Sequence, residues 1–189
     1  MHHLIEWFTH NYPHIKSDMR QCTHTDTISE INPYHIEDDC WSHTMLVCKI
    51  AEIARCDRDV LVAALLHDIG KPTAREVNPF NKHVRFFDHE KISAKLSQPI
   101  LEHMCSDKLI DRDDKETIIE LIAKHGDFYR YDSVDEIIEE YRDRLYFLQK
   151  LVSLVECDNQ GRFYLNDNTK VLSLIDGIKK YLKRHNMSK

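Results

Sequence analysis

The feature that most constrains this chain is an apolar run that ends on two polar side chains. Residues 60–66 read VLVAALL, and His67 and Asp68 follow at once. Gly70 and Pro72 then favour the end of a helix, because glycine closes helices readily and proline cannot continue one. A charge at the end of so apolar a segment is costly to bury unless it is paired or bound to a metal. Either the chain turns to solvent here, or a cation lies beside the histidine and the aspartate.

Composition restricts the fold class. The chain has 189 residues, 42% of them hydrophobic, which suffices for one domain with a substantial core. Only four glycines and five prolines occur, which favours helix. No stretch approaches the roughly 20 apolar residues of a membrane helix, and the N-terminus lacks the pattern of a signal peptide. We expect an all-α protein in the cytoplasm, with its six cysteines reduced.

Charge and missing motifs exclude several functional classes. The net charge of −6 argues against a protein that binds nucleic acid non-specifically, since such a protein needs a basic face. An enzyme that holds one phosphate with a local cation remains compatible with this charge. The zinc-protease motif HExxH, the glycine-rich phosphate loops and the hydrolase motif GxSxG are all absent from the sequence.

Hydrophobic periodicity divides the chain into helices and irregular segments. We predict helices over 2–10, 38–55, 58–69, 88–105, 113–126, 133–158 with a break near 141, and 168–185. The expected N-cap of the second of these is Asp38 or Asp39. Residues 11–37 are predicted to be an irregular arm and 72–87 a loop, with no β-strand. The chain is thus interpreted as a single domain, 1–189, with a motif-bearing core over 38–162 and a C-terminal helix within 163–189.

Residue types that ligate metals lie on the apolar faces of several predicted helices. Those that share an apolar stripe are His43, His89, His125 and Asp158. One histidine in such a place is usually a hydrogen-bonded core residue, whereas an aspartate resists burial. Four such groups, together with the His67–Asp68 pair, are hard to attribute to chance. If they converge, a cation removes the cost of burial, and histidine with carboxylate ligands suits Mn, Fe, Co, Ni or Zn.

In sequence order, these residues resemble the HD superfamily of metal-dependent phosphohydrolases. The pattern H…HD…H…H…D is met by His43, His67, Asp68, His89, His125 and Asp158. The segments DDCWSHTMLV, LVAALLHDIGKP and RFFDHEKISA resemble the HD domains of bacterial CCA-adding tRNA nucleotidyltransferases and of polynucleotide-kinase end-repair proteins. The nucleotidyltransferase domain and the kinase P-loop are missing, which indicates a free-standing HD domain. His125 stands alone where the binuclear HD-GYP branch often has two adjacent histidines.

The resemblance implies a helical bundle around a divalent metal, which would be Mn, Co, Ni, Fe, Zn or Mg. The ligands that it implies for one tight ion are His43, His67, Asp68 and Asp158. His89 and His125 would hold a second, weaker ion that Asp68 bridges, or would contact phosphate as donors. A divalent metal acidifies water and polarises a phosphoryl oxygen, and phosphoryl transfer needs little beyond this and positioning.

Cationic and aromatic residues near these ligands are candidates for substrate binding. Lys71 follows the His67–Asp68 pair, and Pro72 restricts its backbone so that its ammonium could face a phosphate; we assign Lys71 and Asp68 as catalytic. The candidates for phosphate or base contacts are Trp41, Arg75, Lys82, Arg85 and Arg162. The alternatives are a solvated loop for the cations and core packing for the tryptophan.

These observations predict a metal-dependent phosphohydrolase that acts on nucleotides or nucleic-acid ends, as a phosphatase or a 2′,3′-cyclic phosphodiesterase. One alternative is a hydrolase of free nucleotides, either a 5′-nucleotidase or a dNTP triphosphohydrolase. Another is a non-catalytic HD domain that binds a nucleotide or a partner. The acidic net charge favours small nucleotides, whereas the local motifs favour end repair. The intact set of ligand types argues against the non-catalytic alternative.

Overall fold

The protein is described by a computed structural model, in which residues 1–25, 35, 37, 39–162 and 168–185 are described. Its regular structure is almost entirely helical, which confirms the predicted all-α class. The α-helices are α1 His2–Asn11, α2 Pro13–Gln21, α3 Cys40–Ile53, α4 Arg58–Leu66, α5 Lys71–Ala74, α6 His89–Ser106, α7 Asp114–Lys124, α8 Val134–Glu140, α9 Leu145–Gln160 and α10 Thr169–Arg184. Two strands, β1 Arg75–Val77 and β2 Val84–Phe86, form an antiparallel hairpin.

Helix α4 lies at the centre of the bundle. It packs against α3, α7 and α9, and every residue from 62 to 71 is buried. A helix that is apolar on all sides is covered on all sides, and this places the residues after α4 inside the molecule. The two charged residues of α4 lie in its first turn: Arg58 is exposed, and Asp59 is buried in an ion pair with Lys150 of α9.

Helix ends coincide with the polar residues of interest. Asp39 caps α3, since its carboxylate accepts a hydrogen bond from the backbone N–H of Ser42 at 2.8 Å, which confirms one of the two predicted N-caps. His67 is the C-cap of α4 and His125 is the C-cap of α7, while His89 is the first residue of α6. Three of the candidate histidines therefore stand where a helix begins or ends.

Two segments depart from the predicted secondary structure. Part of the arm predicted to be irregular over 11–37 forms α2, because Pro13 occupies the first turn, where proline starts a helix rather than breaking it. Residues 26–34, 36 and 38 lie outside the described residues. The segment predicted to be a loop over 72–87 contains α5 and the β1–β2 hairpin. The expectation of no strand was wrong because three-residue strands are too short for alternation to reveal.

Three further expectations concern the long helix over 133–158, the cysteines and the membrane. The predicted break near 141 is confirmed, since α8 ends at Glu140 and α9 begins at Leu145. All six cysteines are free thiols. Among the described residues, no helix combines the length and the apolar character needed to cross a membrane.

Candidate metal centre

The structure brings the candidate ligands together at one point inside the bundle. They come from α3 (His43), the end of α4 (His67 and Asp68), the start of α6 (His89), the end of α7 (His125) and α9 (Asp158). The Asp68 side chain is 1% exposed, so the alternative in which the chain turns to solvent after α4 is excluded. The most exposed of the six is the His89 side chain, at 17%.

Asp68 lies between two groups of imidazoles. Its Oδ2 is 3.2 Å from Nε2 of His67 and 3.7 Å from Nε2 of His43. Its Oδ1 is 3.4 Å from Nε2 of His89 and 3.9 Å from Nε2 of His125. Each group, taken with Asp68, has its ligand atoms within 4.8 Å of one another. Asp68 is therefore the residue that both halves of the centre share.

Asp158 belongs to the first of these halves. Its Oδ1 lies 2.8 Å from Nε2 of His43 and 3.8 Å from Nε2 of His67. Its Oδ2 accepts from the guanidinium of Arg162, one helical turn further along the chain. The carboxylate is thus held on one side by a cation and faces the imidazoles with its other oxygen.

Backbone carbonyls determine which nitrogen faces the centre. Nδ1 of His67, of His89 and of His125 lies 2.9, 2.9 and 2.7 Å from the carbonyl oxygen three residues earlier. A carbonyl oxygen only accepts hydrogen bonds, so each Nδ1 carries a proton and each Nε2 is the nitrogen that faces the centre. The carbonyls used by His67 and His125 are available because α4 and α7 end there, leaving their last carbonyls without helical partners.

His43 is oriented differently, through a carboxylate that the sequence analysis did not single out. Its Nδ1 lies 3.0 Å from Oε1 of Glu37, and the same oxygen lies 2.7 Å from Nδ1 of His35. Such a carboxylate behind a ligand histidine fixes the ring and raises its basicity. Glu37 and His35 occur in the arm that lacks periodicity, so nothing in the local sequence distinguishes them. Only the contact of Glu37 with His43 in the tertiary structure reveals their position.

Unsatisfied polar atoms at the centre indicate that a cation fits there. Nε2 of His67 and Oδ1 of Asp68 are buried, and neither has a hydrogen-bond partner among the described residues. A buried polar atom without a partner costs about 1–3 kcal/mol. Neutral imidazoles with carboxylates are the ligand set that divalent transition metals prefer. The residues present therefore suit a divalent metal, with one carboxylate common to two positions.

The two buried aspartates remain charged. Burial alone would raise the pKa of Asp68, but His67 and Lys71 hold that pKa well below its usual value. Burial likewise opposes ionisation of Asp158, whose pKa is held well below its usual value by Arg162 and His43. Both carboxylates are thus in the form that binds a cation.

His125 is held in its neutral form. Burial lowers its pKa to about 3, with smaller contributions from the neighbouring imidazoles of His67 and His89. A neutral imidazole with a protonated Nδ1 is the form of histidine that ligates metals. Charge and hydrogen bonding therefore agree on the same tautomer for this residue.

Gly70 allows α6 to approach the turn that carries His67 and Asp68. A Cβ atom at this position would lie 2.6 Å from the backbone nitrogen of Ser93 and 2.7 Å from the carbonyl oxygen of His89. The backbone N–H of Gly70 donates to Oγ of Ser93 at 2.9 Å. The φ of Gly70 is −85°, so this glycine is needed for the close approach of α6 and not for a left-handed backbone conformation.

A cavity of about 390 Å³ opens onto the centre. Asp68, Lys71, Asp158 and Arg162 form part of its wall, and the hairpin residues Val84–Phe87 form another part. A larger cavity, about 490 Å³, lies at the other end of α3, and its lining includes none of the candidate ligands. Of these two cavities, the smaller is thus the one that borders the candidate ligands.

Lys71 is the cation closest to the shared carboxylate. Its Nζ lies 2.7 Å from Oδ2 of Asp68 and 5.4 Å from the ring centroid of Phe86. Burial would lower the pKa of Lys71, but Asp68 raises it above its usual value, so the ammonium stays charged.

The predicted substrate-binding residues divide into two groups. Arg85 and Arg162 line the cavity. Arg75, Trp41 and Lys82 do not. Arg75 donates instead to the carbonyl oxygens of Thr23 and Thr25, which ties the N-terminal arm to β1.

Trp41 and Lys82 are likewise explained by where they lie. Trp41 is 3% exposed and stacks on Phe8, with ring centroids 6.2 Å apart, so it packs in the core. Lys82 is exposed in the turn of the hairpin, with a φ of 60°. Neither residue lines the cavity at the candidate ligands.

A helical bundle with imidazoles and aspartates around a shared buried carboxylate defines a class of metal-binding helical proteins. Within that class, the chain belongs to the HD family, since the family model described as HD domain matches residues 40–157. HD domains are a superfamily of metal-dependent phosphohydrolases, as the sequence resemblance implied.

The chain is also similar to proteins described as Multifunctional CCA protein. It is 30% identical to the one from Ralstonia nicotianae over 137 residues, which cover 68% of this chain and 30% of the relative. The one from Variovorax paradoxus is 28% identical over 142 residues, covering 71% and 32% of the two chains. The one from Cupriavidus metallidurans is 31% identical over 97 residues, covering 51% and 22%. The chain thus spans about a third or less of these curated relatives.

Proposed function

We propose that this protein is a metal-dependent phosphohydrolase that acts on nucleotides or nucleic-acid ends, as a phosphatase or a 2′,3′-cyclic phosphodiesterase. The observation that carries the proposal is the buried Asp68 carboxylate with the Nε2 atoms of four histidines directed at it, beside the cations Lys71 and Arg162. Membership of the HD family and similarity to CCA proteins support the choice of a phosphate ester bound to a nucleoside.

The ligand assignment follows the two halves of the centre. The residues that would hold one tight ion are His43, His67, Asp68 and Asp158. A second, weaker ion would be held by His89 and His125 together with Asp68. When bound, a divalent cation activates water and neutralises charge on the phosphoryl oxygens.

The chain's own cations would position the phosphate. Lys71 and Arg162 lie in the cavity wall, and Nε of Arg162 is buried without a hydrogen-bond partner among the described residues. An N–H group in that state favours an anionic acceptor. We assign Lys71 and Asp68 as the catalytic residues: Lys71 donates to the phosphate, and Asp68 holds the ammonium in place. Arg162 orients a second phosphoryl oxygen.

The test is removal and return of the metal. Purified protein should contain a transition metal, lose hydrolysis after chelation and regain it when Mn, Co, Ni, Zn or Mg is added back. The panel comprises nucleoside mono- and triphosphates, 2′,3′-cyclic nucleotides and p-nitrophenyl phosphate, with elemental analysis of every sample. Asp158→Asn should lower metal content, whereas Asp176→Asn, on the exposed face of α10, should not. Full activity in a metal-free sample contradicts the proposal.

A hydrolase of free nucleotides is the second candidate. The cavity of about 390 Å³ falls within the range that encloses small ligands, and the net charge of −6 disfavours extended contact with nucleic acid. In the same panel, this candidate predicts turnover of nucleoside mono- or triphosphates without turnover of any ester at an oligonucleotide end. A protein that binds nucleotides but hydrolyses nothing with any metal would instead be the non-catalytic alternative.

A further inference from the structure

The β1–β2 hairpin presents two exposed aromatic rings beside the cavity. Phe80 is 95% exposed and lies in the turn, while Phe87 is 58% exposed and follows directly after β2. Single exposed apolar side chains are ordinary, but two large rings on one short hairpin next to a reaction cavity are not explained by packing.

The turn that carries Phe80 is built by specific hydrogen bonds. Oδ1 of Asn78 accepts from the backbone N–H of Phe80 at 2.9 Å and from that of Asn81 at 3.3 Å. The backbone N–H of Asn78 donates to the carbonyl oxygen of His83, and its own carbonyl accepts from Lys82, both at 2.9 Å. Exposure of Phe80 is therefore a consequence of a defined turn, in which the ring is directed away from the core.

The hairpin is continuous with the cavity. Residues Val84–Phe87 form part of the cavity wall. Successive side chains of a strand point to opposite faces. Phe86 therefore covers Lys71 on the inner face, while Arg85 is exposed at the rim of the cavity, with its guanidinium 5.7 Å from the ring centroid of Phe87. The surface that leads away from the cavity thus combines a cation with an aromatic ring.

The charges of the hairpin favour a polyanion. Lys82 and Arg85 are exposed, and neither has an ion-pair partner among the described residues. The nearby Asp88 is paired with Lys91 at 2.7 Å, which reduces its repulsion of an anion. Glu76 faces Arg85 across the hairpin, without an ion pair in the part of the chain that the structure describes. These cations stand out on a chain whose net charge is −6.

We propose that the hairpin binds a single-stranded nucleic-acid segment next to the phosphate that enters the cavity, with Phe87 stacking on a base at the rim and Phe80 on a base further along the strand. Aromatic stacking combined with cations along the backbone is the general mode of single-strand binding. This inference rests on the proposed function and narrows its substrate to a single-stranded end.

Phe80 separates this substrate from a free nucleotide. A strand rises about 3.3 Å per residue, so the turn lies several residues beyond the rim that Phe87 occupies. A mononucleotide whose phosphate sits at the metal centre would stop near Phe87, whereas an oligonucleotide would continue along the hairpin. Contact with Phe80 is therefore specific to the longer substrate.

The first experiment compares the same phosphate ester at the end of an oligonucleotide and on a mononucleotide. RNA octamers carry a terminal 2′,3′-cyclic, 3′- or 5′-phosphate, and DNA octamers carry a 3′- or 5′-phosphate. Each octamer is compared with the corresponding mononucleotide. Phe80→Ala should lower the ratio of kcat/KM for oligonucleotide over mononucleotide about ten-fold, the effect expected for one stacked base. Phe80→Trp should restore the ratio. The control Tyr146→Ala removes an aromatic ring that is also exposed, at 54%, and should leave the ratio unchanged.

The second experiment measures binding without turnover. With EDTA present, fluorescence anisotropy of a labelled octamer should show an approximately ten-fold weaker Kd for Phe80→Ala than for the unaltered protein, and a blunt duplex should compete poorly. This assay keeps the two proposals separate: a protein that hydrolyses no ester but binds the octamer through Phe80 overturns the proposed function alone. Unaltered Kd and kcat/KM ratios in Phe80→Ala overturn the hairpin proposal. If that variant changes only the sedimentation behaviour, the ring is an interface between copies, and the hairpin proposal is equally overturned.

Discussion

The two halves of the centre are built on different parts of their helices. In the first half, His43 lies within α3 and Asp158 within α9, both buried, with Nε2 and Oδ1 only 2.8 Å apart. In the second half, His89 begins α6 and His125 follows α7, and their Nε2 atoms lie 3.4 and 3.9 Å from the shared Asp68. His67, the third imidazole or carboxylate ligand of the first half, ends α4 but is fully buried and does not line the cavity, whereas both histidines of the second half stand at helix ends and line it. We expect the first half to bind its ion more tightly.

The largest effect should come from the residue that both halves share. Asp68→Ala removes a charge from each half, so activity should fall on the order of a thousand-fold, as loss of several kcal/mol of transition-state stabilisation requires. The free energy of unfolding should change less, unless the metal also joins the helices. Kinetics at equal metal occupancy, together with thermal melts, measure both quantities. Turnover like that of the unaltered protein would refute the role of Asp68, and Asp176→Asn is the control for loss of a carboxylate.

A smaller effect should come from substitution of either histidine in the second half of the centre. His89→Ala and His125→Ala should each reduce turnover about ten- to hundred-fold, the equivalent of one charge-assisted hydrogen bond. The tight ion should remain, because the ligands of the first half are untouched. Metal titration of both variants checks this. If either substitution empties the tight site, the division between the halves is wrong and the ligand set must be redrawn.

The smallest effect should come from substitution of Glu37, the carboxylate that lies behind His43 in the first half of the centre. Glu37→Gln keeps the shape of the side chain but removes the charge that lies 3.0 Å from Nδ1 of His43. Substitution of such supporting groups typically lowers metal affinity about ten- to hundred-fold, and we expect the lower end, with kcat restored at saturating metal. Glu136→Gln, at an exposed site on α8, is the matched control. An unchanged metal affinity would show that packing alone orients His43.

Periodicity was enough to predict which residues face inward. The apolar stripes around His43, His89, His125 and Asp158 depend on neighbours within a few positions, and such local relations are readable in one dimension. The apolar run before His67 likewise predicted a helix that ends near this residue, and the break near 141 was confirmed in the structure. The sequence by itself therefore determined the helical class and the inward-facing histidines and aspartates.

Only the tertiary structure decided how those residues are used. Oδ1 of Asp158 meets Nε2 of His43 across 115 positions of sequence. Asp68 lies between two groups of imidazoles because α4 and α7 end near it and α6 begins there. Glu37 lies behind His43, Arg75 holds the arm in place and Trp41 packs in the core, although none of these positions is distinguished by its neighbours in sequence. Such assignments depend on distances between separate elements, and those distances arise from packing, which local sequence patterns do not encode.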